Sequence, residues 1–197
     1  MATANKTRLK FSKTGKIKFI GHLDLLTVFQ QAVKRAGLPV CYSKGYNPHQ
    51  LLYFAQPLPL GMESLGEYVD AVWEEPLDIS VISQKLNNVM PEGINILEGR
   101  QLDARDKKAA AVVQAASYGI ELNEAYTLNA PPEELQADIF EFDIESPTSV
   151  LVTLATGSTK NLSPKKLMEH LANGAECRYT RLELFKIKDG NYVTLLE

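Results

Sequence analysis

The most constraining feature is a change of hydrophobic period near the amino terminus. From Thr7 to Ser12 the chain alternates, with Arg8 and Lys10 on one side and Leu9 and Phe11 on the other. Lys16-Ile17-Lys18-Phe19-Ile20 repeats that alternation after Thr14-Gly15. A period of two is the mark of a strand with one buried face, here with a basic face opposite. The period then switches: Leu25, Leu26, Phe29, Ala32, Val33 and Ala36 recur at helical spacing, and Gly37 and Pro39 end the run. A chain that passes from strand to helix in this way belongs to the mixed α and β classes.

The following segments continue the pattern. Pro39–Ser43 reads as a short strand, 44–49 as a loop with glycine and Asn-Pro turn chemistry, and Leu51–Leu60 as apolar and extended. Gly66–Glu74 predicts a strand, Ile79–Met90 a helix, and Ile94–Leu97 another strand beyond the turn Pro91-Glu92-Gly93. The order is βαββαβ, the split unit of ferredoxin-like folds. The polar stretch that ends at Lys108 has no apolar period and reads as a linker over 101–108. Beyond it the sequence predicts a helix over Ala109–Ala116 and a strand over Tyr118–Leu122. A helix opened by two prolines follows over Pro131–Phe140, then a strand over Ser149–Thr156. A helix capped at Ser163-Pro164 and a hairpin around Asp189-Gly190 complete the chain. The expected fold is therefore α+β in two lobes. The first, 1–100, is basic-faced and ferredoxin-like. The second, 109–197, is an acidic, smaller or degenerate α+β unit.

Charge is unevenly placed. Residues 1–53 hold nine Lys or Arg against one acid, Asp24, while the other 144 residues hold 12 bases against 23 acids. Segregation of this kind creates a local positive field on a chain whose net charge is −3. It points to an anionic partner, RNA first; the plain alternative is a solvated lysine-rich edge that resists aggregation. Tyr42, Tyr46 and Tyr53 interleave with Lys44 and His49, as where unpaired bases stack on rings flanked by cations. Half-buried tyrosines with hydroxyls at the rim would leave the same trace. The expected nucleic-acid-binding residues are Arg8, Lys10, Lys13, Lys16, Lys18, His22, Lys44, Tyr46, Asn47 and His49. The loop 45–49 and His22 are expected to line one concavity, walled by Arg8 and Lys10.

Catalytic chemistry has less support. Of the three histidines, His170 lies on a surface-like helix, whereas His22 and His49 could serve as acid and base on a ribose 2′-hydroxyl if they converge. Each alone reads more simply as a structural hydrogen-bonder. Asp24 is two residues from His22 on a helix and points away from it. There is no P-loop and no GxGxxG. The two cysteines, Cys41 and Cys177, lie far apart without metal-ligand spacing, so no cofactor is expected and the cytoplasm is the expected compartment. The start MATANKTRLK lacks an apolar core for a secretory signal, and no run is long enough to span a bilayer, so no membrane is expected.

Phe11-Ser12-Lys13-Thr14-Gly15, Phe19-Ile20-Gly21-His22-Leu23-Asp24-Leu25, Arg35-Ala36-Gly37-Leu38-Pro39-Val40 and Tyr42-Ser43-Lys44-Gly45-Tyr46-Asn47-Pro48-His49 together resemble the radical-SAM-linked protein family, a domain of unknown function. Pro57-Leu58-Pro59-Leu60-Gly61 and Glu67-Tyr68-Val69-Asp70 continue the likeness. It is dense over residues 8–72 and thin afterwards. The family usually has Ser where Gly21 stands and Phe where Tyr46 stands. Such domains occur beside or fused to radical SAM proteins with a cobalamin-type domain. The resemblance thus implies a radical SAM partner protein. This chain lacks the three-cysteine cluster motif and so is not itself the radical enzyme. Three functions remain open: an RNA-binding accessory module for such an enzyme in RNA or ribosome modification, a metal-independent ribonuclease using His22 and His49, and a protein-binding scaffold that docks through Glu133, Glu134 and Asp138.

Overall fold

A computed structural model describes residues 5–197. The chain is α+β, with one mixed sheet of nine strands and five α-helices among the described residues. The strands are β1 (Asn5–Lys13), β2 (Leu52–Phe54), β3 (Glu63–Trp73), β4 (Ile94–Leu102), β5 (Ala115–Leu122), β6 (Ile139–Ser146), β7 (Ser149–Ala155), β8 (Cys177–Lys188) and β9 (Asn191–Thr194). The helices are α1 (His22–Arg35), α2 (Ile79–Asn87), α3 (Ala109–Val112), α4 (Glu133–Gln136) and α5 (Pro164–Leu171). None is long and apolar enough to cross a membrane.

The sheet runs β4-β1-β3-β8-β5-β7-β6, with β2 beside β3 and β9 beside β8. Every pairing is antiparallel except β3 with β8, which meet in parallel over only Glu63↔Thr180 and Ser64↔Arg181. So short a seam has few ladder hydrogen bonds, and side chains reinforce it. Arg181 Nη1 donates to Glu67 at 2.8 Å, Tyr68 donates its hydroxyl to Glu183 at 2.6 Å, and Lys10 Nζ lies 2.6 Å from the other Glu183 oxygen. Burial and the hydrogen bond to Glu183 push the Tyr68 phenol far above its usual range.

Two apolar cores flank this seam. Leu9, Phe11, Val69, Ala71 and Trp73 project from β1 and β3 onto α1 and α2, where Leu25, Phe29, Val33, Ile82 and Leu86 meet them. Here the alternation and the helical spacing read from sequence are both satisfied. The second core gathers β5, β7, β8 and α5 around Ile120, Val152, Leu154, Leu167 and Leu171. It also takes in Tyr68, Ala55, Leu58 and Met62 from the first half of the chain, together with Ala109 and Leu195. The opposite face of β1 and β3 is therefore covered by α3 and the carboxyl-terminal strand region.

Four local expectations are corrected. Lys16–Ile20 is not a strand: Gly15–Phe19 is a 3-10 turn, entered through Gly15 at φ +66° and tied by Thr14 N–H to the Gly93 carbonyl at 2.8 Å. Pro39–Ser43 makes only isolated bridges, Val40↔Trp73 and Tyr42↔Gln50. Over Ala109–Ala116 the helix stops at Val112, because Ala115 and Ala116 pair with Leu154, Ala155, Leu184 and Phe185 in the sheet. Over Pro131–Phe140 only Glu133–Gln136 is helical, and Ile139 begins β6 against β7. The terminal hairpin forms as expected, with Asp189 at φ 52° and Gly190 at φ 80°, the paired left-handed geometry of a type I′ turn.

Candidate nucleic-acid interface

The expected basic face of β1 is not a surface. Arg8 is 2 % exposed and its guanidinium is fully engaged inside the chain. Nε and Nη2 donate to Asp70 at 2.7 and 3.0 Å, Nη1 to the Leu195 carbonyl at 3.0 Å, and Nη2 also to the Lys107 carbonyl at 2.8 Å. Asp70 accepts in addition the Ala109 N–H at 2.8 Å. Lys10 is taken by Glu183 and Lys18 by Glu63 at 3.0 Å. Lys13 is 1 % exposed and donates to the Ile20 carbonyl at 2.9 Å; burial lowers its pKa from the usual lysine value, against an opposing pull from Glu67. The physical reason is coverage: a sheet face that faces water in a lone βαββαβ unit is here packed against the rest of the chain. Lys16 alone among these strand-region cations stays exposed without an acid partner among the described residues.

His22 and His49 sit at opposite ends of α1. His22 is its first residue, and its ring meets Phe54 edge-on at 5.5 Å. His49 lies in a concavity with Gln31, Lys34, Tyr42, Pro48 and Gln50. Gln31 and Lys34 follow His22 by nine and twelve residues, which places them roughly 13–18 Å further along the helix axis at 1.5 Å per residue. The expected shared concavity does not form, and no acid–base pair of these two imidazoles is available.

The loop itself is a built structure. Ser43 closes it: its N–H donates to the His49 carbonyl at 2.8 Å, its Oγ accepts the His49 N–H at 3.0 Å, and the same oxygen lies 2.8 Å from His49 Nδ1. Gly45 at φ +128° allows the bend. His49 thus serves its own loop through Nδ1. Lys44, Tyr46, Asn47 and Pro48 project outward, Tyr46 being fully exposed and Tyr42 51 % exposed.

Between this loop and α1 lies an open concavity of about 320 Å³. Lys34 and the Tyr42 ring line it. No acid occurs between Asp24 and Glu63 in sequence, and neither Lys34 nor Lys44 is in an ion pair among the described residues. Gln50 forms its floor. It is 7 % exposed, donates Nε2 to the Gln30 carbonyl at 3.2 Å and to Tyr42 Oη at 3.4 Å, and has no hydrogen-bond partner on Oε1. A buried unpaired acceptor is uncommon in folded proteins. Gln30, Gln31, Lys34 and Gln50 were not singled out from sequence. The signal was present: Gln30, Gln31 and Lys34 lie off the apolar stripe of α1, on the side the loop approaches.

A second surface feature is apolar. Phe19, Leu23 and Leu60 are 65 %, 75 % and 68 % exposed. The Phe19 ring lies beside Gly61, whose N–H donates to the Lys18 carbonyl at 3.0 Å. Leu23, on the first turn of α1, likewise falls outside the buried stripe of that helix. Among the described residues no three His, Cys, Asp or Glu side chains are grouped as a metal site.

An α+β protein with a single mixed sheet, carrying an acid-free cationic and aromatic loop on one helix, is the class that fold and surface define. The chain belongs to the bacterial family described as "Uncharacterized protein conserved in bacteria (DUF2344)", which residues 6–142 match, more than two thirds of its length. No curated protein matches the chain.

Proposed function

We propose that this protein is an RNA-binding accessory module that works with a radical SAM partner enzyme in RNA or ribosome modification. The observation that carries the RNA part is the concavity beside α1. It combines a half-exposed Tyr42 ring with the Lys34 cation, and Lys44 stands exposed on the adjoining loop in the same acid-free stretch. Rings stack on unpaired bases, and cations meet phosphates. Tyr46, fully exposed at the loop tip, offers a second stacking face.

The architecture is compatible with that role. The spatial orders β4-β1-β3-β2 and β8-β5-β7-β6 repeat one pattern, each from one strand, two more after a helix, and a return strand after a second helix. This favours reading the chain as two ferredoxin-like units, the second with its first helix reduced to the single turn of α4. A fold of this kind hosts many functions, so the argument rests on the site.

The partner rests on the resemblance and on one surface feature. The exposed Phe19, Leu23 and Leu60 lie within the very motifs that carry the likeness to radical-SAM-linked proteins. Exposed apolar side chains of this kind suit a protein contact. This favours docking through the α1 start rather than through Glu133, Glu134 and Asp138.

Photocrosslinking of a 4-thiouridine-containing single-stranded RNA, followed by peptide mapping, tests the RNA reading. Crosslinks are expected within residues 42–50. Crosslinks confined to other segments, or none at low salt, would remove it.

A further inference from the structure

A second cavity, distinct from the α1 concavity, lies where β2 meets the segment before α3. It encloses about 240 Å³. Lys6, Lys107 and Lys108 line it, with Tyr53 and the apolar side chains of Leu51, Val72 and Leu102. The Lys108 ammonium stands 3.9 Å from the centre of the Tyr53 ring.

Its electrostatics are one-sided. Two acids also border it, but both are spent elsewhere. Asp70 accepts from Arg8 and Ala109. Asp106 accepts from Arg100 at 2.6 and 2.9 Å and from the Asp103 N–H at 2.8 Å. The hydrogen bonds from Arg100 hold the Asp106 carboxyl at about 2, well below its ordinary range. Lys6, Lys107 and Lys108 have no acid within ion-pair distance among the described residues. Lys6 is half-buried, so its charge is partly desolvated as well as unpaired. A desolvated cation gains more from an anion than an exposed one does.

We propose that this cavity binds a phosphate monoester carrying a ring, of the nucleoside 5′-monophosphate kind. The three ammonium groups meet the phosphate, since lysine is a point-charge phosphate binder. Lys108 holds that phosphate next to Tyr53. The ring of the ligand then lies along the wall of Tyr53, Leu51 and Val72, where apolar surface is covered. At about 240 Å³ the cavity is below the usual range of drug-sized pockets, so it takes the phosphate end and one face of the ring and leaves the rest of the ligand in solvent. The site joins β1 and β2 to the segment that leads into α3, so an occupied cavity also fastens the two halves of the chain together. This inference stands apart from the RNA concavity and shares no residue with it.

The same chemistry could come from a free nucleotide or from the 5′ end of an RNA. Calorimetric titration of the full chain with AMP, ribose 5-phosphate and adenosine tests the ligand class. Seven-nucleotide RNAs with a 5′-phosphate or a 5′-hydroxyl separate the two sources. AMP is expected to bind at least about tenfold tighter than adenosine, which loses the charged contacts, and also tighter than ribose 5-phosphate, which loses the ring that covers the apolar wall. Lys6→Gln and Lys108→Gln are each expected to weaken AMP by about tenfold with an unchanged melting temperature, while Lys44→Gln leaves AMP binding as it was. A Lys6-dependent preference for the 5′-phosphorylated RNA assigns the site to RNA ends; AMP binding without that preference assigns it to a free nucleotide. The proposal is overturned if neither AMP nor the phosphorylated RNA binds, or if Lys6→Gln and Lys108→Gln leave both unchanged.

Discussion

Removing the carboxylate of Asp70 should destabilise the whole chain through the Arg8 guanidinium. The two side chains are 2 % and 7 % exposed, and Asp70 accepts three hydrogen bonds, two from Arg8 and one from Ala109. Breaking one partner of a buried pair strands the other charge, at a cost of about 3–5 kcal/mol. For a chain of this size each kcal/mol lowers the melting temperature by about 2–4 °C, so Asp70→Leu should lose about 6–20 °C. Arg8→Met should lose a similar amount. The double variant should be less destabilised than the sum, because no charge is then stranded. It will not recover fully, since the Lys107 and Leu195 carbonyls and the Ala109 N–H lose their partners. Urea unfolding followed by the single, buried Trp73 measures all three. Amide exchange at Ala109 gives a local check, since its N–H is held by Asp70. Single variants that each cost under about 1 kcal/mol and combine additively would refute the reasoning, because they would place the pair in a solvated environment.

Other consequences follow from the same geometry. Gly66→Ala should cost about 1–3 kcal/mol, because a Cβ there would stand 2.6 Å from the Leu182 carbonyl oxygen across the short β3–β8 seam; chemical denaturation measures it. The stabilisation from Asp106 should be complete above its ordinary pKa of 3.8 and should vanish as pH falls through about 2, because the folded state depresses that pKa. Proteolysis of the 103–108 segment as a function of pH, with Asp106→Asn as the pH-independent control, reads this out. Tyr46→Ala should leave stability within about 0.5 kcal/mol, as exposed positions without partners do, yet weaken single-stranded RNA binding; equal melting curves with an unchanged affinity would separate that ring from the site. Phe19→Ser with Leu23→Ser should preserve folding and abolish co-purification with a radical SAM partner.

The fold was legible where period and burial agree. Leu9, Phe11 and the α1 stripe from Leu25 to Val33 were readable because each covers one side of its element and meets one core. The signal failed where a face is covered by distant chain. Arg8 and Lys10 alternate with apolar residues as solvated positions do, and nothing local marks the Asp70 and Glu183 that consume their charge from 62 and 173 positions away. Sheet pairing also overrode local propensity. Ala115-Ala116 read as helix, but they pair on both sides with β7 and β8. Phe140, Phe142 and Ile144 carried the period-two signature of β6, hidden by the two prolines that suggested a longer helix. At the candidate site, the loop 44–49 was readable from its turn chemistry. The groove was not, because it needs Lys34 and Gln50 to approach each other from separate elements.

The salt dependence of single-stranded RNA binding tests the central claim most directly. Fluorescence anisotropy of a labelled oligonucleotide at a series of salt concentrations gives the slope of log affinity against log salt. Each phosphate contact contributes about −0.7 to that slope on single strands. The intact protein should bind at low salt with a clearly negative slope. Lys34→Gln with Lys44→Gln should make it shallower by about 1.4, two contacts' worth, at an unchanged melting temperature. Binding that is absent at low salt, or a slope that the double variant leaves unaltered, would contradict the account.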